Sequence, residues 1–176
     1  MTFDTAVRAV AAPLDAEAEG VARLKDLIAG HGFLGPAARQ ALGPEIGRAH
    51  LRGDLPLYLR RLAAPTPLNT LVKLFSLDQW VDEDSAVAAL APVPLGEVVA
   101  CGLLEQGPRG VRALVGLAAH RDLLLAHDRL PPGRSALERD HVLGTNAPAM
   151  TLDCLTVRRP VEATLDLGAG GAGAPR

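Results

Sequence analysis

Thr164-Leu165-Asp166-Leu167-Gly168-Ala169-Gly170 has the residue types of a ligand-binding turn. A short apolar strand delivers a carboxylate at Asp166 and then runs into glycines. Gly168 and Gly170 allow a sharp turn and close approach of the backbone to a ligand, as in the first turn of a nucleotide-binding βα unit. No following helix is expected within the residues that remain. Gly171-Ala172-Gly173-Ala174-Pro175-Arg176 is too short and too rich in glycine, since isolated helices below about 12 residues are marginal even with good formers. The segment therefore reads as the opening of a cofactor site without the rest. Gly168, Gly170 and Gly173 also fit a GxGxxG spacing, an accident of the glycine-rich tail that carries little weight for a dinucleotide.

Upstream, Asp140-His141-Val142-Leu143-Gly144-Thr145-Asn146 is a polar, glycine-containing loop leading into the helix Ala147 to Val157. It is either a linker whose Thr145 or Asn146 caps the helix, or a loop and helix packed over the cofactor pocket. In the second case Thr151 is the polar side chain best placed to reach in. Arg48, Arg52, Arg60 and Arg61, around Tyr58, are the densest basic stretch. They read as a solvated helical face or as a docking surface for RNA or an acidic protein. The five histidines lack metal-ligand spacing. Neither cysteine has an activating context and there is no Gly-x-Ser-x-Gly, so nucleophilic catalysis has no support. Cys101 and Cys154, in apolar helical patterns, are expected to be buried and reduced.

The elements that must position these groups are read from periodicity. Helices are expected over Glu17 to Ala29, Gly35 to Leu42, Ile46 to Leu51, Leu55 to Leu62, Leu68 to Leu77, Ser85 to Leu90 and Leu95 to Leu103. Leu103 to Gln106 and Val111 to Leu117 flank a Gly107-Pro108-Arg109-Gly110 turn, which signals a hairpin. Asp122 to Asp128 is a third strand, and Leu130 to Gly133 opens a linker. Three short helices and a hairpin, from Leu68 to Leu117, is the order of a winged helix. DNA chemistry is absent from it: Leu95 to Leu103, in the recognition position, has no Lys, Arg, Asn or Gln to read base edges.

The 176 residues suffice for one domain and a small appendage. With 48% hydrophobic and 22% charged residues the chain is globular, and a net charge of -2 gives no push toward nucleic acid or anionic membranes. There is no signal-peptide pattern and no run of about 18 apolar residues, which points to a cytoplasmic protein without a membrane span.

An ordered set of motifs resembles the bacterial class I S-adenosylmethionine-dependent methyltransferases, in particular the protein-glutamine and small-subunit rRNA methyltransferase group. The set is Asp140-His141-Val142-Leu143-Gly144, Thr151-Leu152, Leu155 to Val161, and Leu165-Asp166-Leu167-Gly168. The stretch Pro67 to Phe75, Pro94-Leu95 and Gly102-Leu103-Leu104-Glu105 is similar to the helical N-terminal domain of that family. The resemblance implies a mainly α, winged-helix-like domain with a small β-hairpin over residues 1–129. A linker over 130–146 and the first strand of an incomplete Rossmann-like domain within 147–176 would come next. It implies S-adenosylmethionine as cofactor, with Asp166, Gly168 and Gly170 matching the Asp-x-Gly-x-Gly turn around its methionine part, and Thr151 beside it. The substrate implied is macromolecular, RNA or protein. The pattern's third glycine falls at Ala172, and the family's ribose-binding acid and Asn-Pro-Pro motif fall beyond Arg176. The chain alone is accordingly expected to be inactive, a truncated or frameshifted end or the boundary of an expressed fragment. The competing expectation is a stand-alone module that binds protein or RNA without catalysis.

Overall fold

The computed structural model describes residues 18–43, 55–121, 123–129, 141–156 and 160. About half of these are helical, and the strands form two small antiparallel hairpins.

The core is built around α4 (Pro67–Phe75), where Leu71, Val72, Leu74 and Phe75 are all buried. A helix with so many apolar side chains cannot lie on a surface, and its neighbours enclose it. Thr66 caps it by accepting from the Asn69 N–H at 3.2 Å, and the Asn69 amide donates to Ala64 O at 3.0 Å. Pro67 occupies the first turn, where a missing N–H costs nothing. Ahead of it lie α1 (Ala18–Gly30), α2 (Pro36–Leu42) and α3 (Leu55–Arg61). The segment through these helices contributes Leu24, Ile28, Phe33, Leu42, Tyr58 and Leu62 to the core. Phe33 meets Phe75 edge to face, with ring centroids 6.5 Å apart.

After α4 come α5 (Glu83–Leu90) and α6 (Leu95–Ala100). Asp82 caps α5 by accepting from the Ser85 N–H at 2.8 Å, which also holds its carboxyl below the usual carboxylate range. Three helices then lead into the hairpin β1 (Leu104–Gly107) and β2 (Gly110–Ala113), the expected order. Gly110, at φ +107°, closes the two-residue turn. Its missing side chain lets Val81 approach so closely that a Cβ there would fall 2.1 Å from Val81 O. Val81 and Val111 exchange both backbone hydrogen bonds, at 2.9 and 2.8 Å, so the hairpin is stitched to the segment between α4 and α5.

One departure concerns the second strand of that hairpin. Expected to run to Leu117, it breaks after Ala113. Gly102, at φ +78°, turns the chain out of α6 so late that β1 begins only at Leu104, which pairs with Ala113. Beyond that register β1 has nothing more to offer. Leu114 donates one last bond to Leu103 O, at 2.8 Å. The chain then enters β3 (Val115–His120), which pairs with β4 (Leu123–Asp128) in a second hairpin. Leu114 is half-buried and lies outside the core, whereas Leu24, Leu71, Phe75, Val98 and Leu103 are buried and Leu27 packs against them.

The described part of the expected linker is anchored. Asp128 donates its N–H to Val142 O at 2.9 Å and accepts the Val142 N–H on Oδ2 at 2.7 Å. Beyond it α7 (Ala147–Leu155) starts at Asn146, whose side chain accepts from the Ala149 N–H at 2.9 Å. No residue of α7 is buried. Cys154 on it is therefore exposed, against expectation, while Cys101 is half-buried; both are free thiols. A Rossmann-like domain is not visible among the described residues.

Candidate functional site

Of the four residues expected to hold a cofactor, Asp166, Gly168 and Gly170 lie outside the described residues. Thr151 is exposed on α7, and its hydroxyl donates to Ala147 O at 2.9 Å, within its own helix. Leu152 and Leu155 are 69% and 74% exposed on the same helix. Thr151 alone makes no cradle for S-adenosylmethionine, so the case for that cofactor rests on the sequence motif.

The structure also places the other residues singled out from sequence. In α6, Leu95 and Val98 face the core, while the exposed side offers Gly96, Glu97 and Ala100. Its exposed charge is an acid, Glu97, 3.7 Å from Arg23 of α1. That surface is unsuited to DNA phosphates. Tyr58 is buried, with Arg60 and Arg61 exposed beside it, and Arg61 donates to Leu42 O. Arg48 and Arg52 are outside the described residues. No group of three potential metal ligands occurs among the described residues.

Three polar constellations do form, none of them legible as a motif. In the first, Asp78 takes the left-handed conformation at φ +57° just after α4. Its Oδ1 accepts from Arg112 Nε of β2 at 3.0 Å and lies 2.9 Å from Arg129 NH1, at the end of β4. Arg129 also donates to Leu74 O, at the C-terminal end of α4 where carbonyls are unpaired. The Arg129 side chain is only 10% exposed, and burial pushes its guanidinium below its ordinary range while Asp78 opposes that shift. Its Nε has no partner among the described residues.

Beside this cluster, the indole of Trp80 lies on Gly107, where a Cβ would fall 2.9 Å from the ring. The Arg109 and Arg112 guanidinium groups sit 4.9 and 5.9 Å from its centroid, at cation–π distance. The third constellation joins α7 to the tip of the second hairpin. Asp153 Oδ2 lies 3.1 Å from His120 Nε2 and accepts from Arg121 at 2.6 Å. Nearby the His127 ring packs against Gly116 and Gly144, either of which would crowd it if it carried a Cβ.

Comparison with known proteins adds one result. Residues 31–114 match a family described as a domain of unknown function (DUF7059). That range runs from the end of α1 to the residue at which strand pairing switches from β1 to β4. No curated protein and no solved structure matches the chain. Among the described residues no helix is long and apolar enough to cross a membrane.

Proposed function

We propose that this chain is the N-terminal portion of a class I S-adenosylmethionine-dependent methyltransferase that acts on a macromolecular substrate, RNA or protein. The helical unit with its hairpin would engage the substrate, and Asp166, Gly168 and Gly170 would open the cofactor site. The reading is supported by order: a helical unit with its hairpin, a second hairpin, then a loop and an Asn146-capped helix, then the Asp-x-Gly-x-Gly motif close behind. The surface of α6 disfavours DNA as the substrate, since Glu97 rather than a base-reading donor is exposed there. When bound, S-adenosylmethionine would supply the methyl group; no catalytic step is assigned to the described side chains.

The coding sequence downstream of Arg176 tests the proposal. A continuation, in frame or shifted, that encodes an acidic strand end and an Asn-Pro-Pro motif supports it. The product of that longer sequence should bind S-adenosylmethionine in isothermal titration, and Asp166→Ala should weaken binding at least about tenfold, the scale of one lost hydrogen bond to a charged group. Absence of both motifs would overturn the proposal in favour of a binding module without catalysis.

A further inference from the structure

We infer that the molecule has a hinge at Leu114 and that Arg129 is the latch that closes it, fixing the second hairpin against the helical unit.

The hinge is a single residue. Up to Ala113 the strand belongs to β1, and from Val115 it belongs to β4, so no ladder spans the junction. Leu114 itself keeps one backbone bond to Leu103 and is half-buried. Independently of this geometry, the match to the domain family ends at Leu114, where the hinge lies.

The second hairpin has its own internal order. Six residue pairs join β3 and β4, Val142 extends the pairing at Asp128, and Asp153 ties α7 to the hairpin tip. Among the described residues, its hold on the helical unit is slight by comparison. Leu117 is its one side chain in the buried core, with Val115 and Leu124 packed at the margin. Against that small apolar contact, Arg129 reaches across to Asp78 and to the last turn of α4, with nine-tenths of its side chain out of solvent.

The chemistry suits a latch better than a core. A charge buried with an incomplete hydrogen-bond set carries a desolvation cost that only its partners offset. Arg129 Nε has no partner among the described residues, so the stabilisation from its two other contacts is reduced but not cancelled. Asp78 keeps Arg112 as a partner when Arg129 leaves, so opening strands no carboxylate. A docked arrangement favoured by a modest margin, held by one side chain across a one-residue bend, makes a device that loss of that contact opens.

The test measures the distance between the units in the full chain. Trp80, the only tryptophan, serves as donor on the helical unit. An acceptor goes on a thiol introduced by Ala126→Cys, at an exposed position of β4, with Cys101 and Cys154 replaced by serine. Time-resolved energy transfer should give one narrow distance distribution in this chain. Arg129→Met should broaden it several-fold while helical circular dichroism stays unchanged, and Asp78→Asn should reproduce the effect. Glu105→Gln, which touches Arg112 but not Arg129, should leave the distribution narrow. An unchanged width in Arg129→Met would overturn the inference. So would loss of the helical signal in that variant, because Arg129 would then belong to one cooperative core.

Discussion

Gly110→Ala is the substitution whose cost the structure defines best. The new Cβ would fall 2.1 Å from Val81 O, 3.0 Å from Val81 C and 3.2 Å from the Asp82 Cα, all of them backbone atoms with no rotamer to escape into. The segment from Val81 to Asp82 must therefore move, and the two hydrogen bonds between Val81 and Val111 are lost. At about 0.5–1.5 kcal/mol each they account for about 1–3 kcal/mol. Alanine at φ +107° adds strain of about 1–3 kcal/mol. The total is about 2–6 kcal/mol, a shift of about 10 °C or more in the melting temperature of a domain this size. Gly96→Ala is the matched control. Nothing lies within 4 Å of a Cβ at that position in α6, where alanine should stabilise by about 0.5–1 kcal/mol. Thermal and urea unfolding, monitored by circular dichroism, compare the two variants. They should differ by at least about 2.5 kcal/mol; a difference below about 1 kcal/mol, ordinary for point substitutions, would refute the steric reasoning.

Leu71→Ala should destabilise by about 2–5 kcal/mol in urea unfolding, whereas Leu155→Ala should stay within about 0.5 kcal/mol, because one is buried and the other lies on a helix that buries nothing. Asp82→Ala should cost about 1 kcal/mol at neutral pH through loss of the cap. The Asp82 carboxyl is depressed in the folded chain, so its contribution is complete above its unfolded value of about 3.9 and disappears as pH falls through the lower folded value. The stability gap between Asp82→Ala and the parent should accordingly narrow in acid; a gap that stays constant as the pH falls well below about 3.9 would sink the capping argument. The 176-residue chain alone should show no micromolar binding of S-adenosylmethionine in isothermal titration, and such binding would show that its cofactor site needs nothing further.

Local signals carried most of the helical unit. Leu71, Val72 and Phe75 at helical spacing and glycines flanking Pro108-Arg109 each act within a few residues, and α4 and the first hairpin form where they point. The break after Ala113 is hidden because apolar side chains recur at every second residue through it, at Val111, Ala113, Val115 and Leu117. What changes there is the supply of partners, which depends on where β1 starts. Cys154 was misplaced for a related reason. Apolar content marks a helix as able to be buried but not as having a neighbour, and α7 has little around it. Asp78, Trp80, Arg112 and Arg129 gave no signal, since a part-buried cluster of residues far apart in sequence has no spacing to recognise. Of the candidate cofactor residues, Thr151 is on the helix expected for it, with its hydroxyl turned back on its own backbone.

The arrangement around Asp78 also gives synthesis a direction. Arg112 meets Asp78 across 34 residues and Arg129 meets Leu74 across 55, so a growing chain acquires the first partner well before the second. A nascent helical unit reaching β2 is already charge-balanced and can fold while the second hairpin is still unmade. Arg129 has no such independence: its berth must exist before it arrives. The helical unit is thus the template, and the second hairpin is the guest assembled onto it.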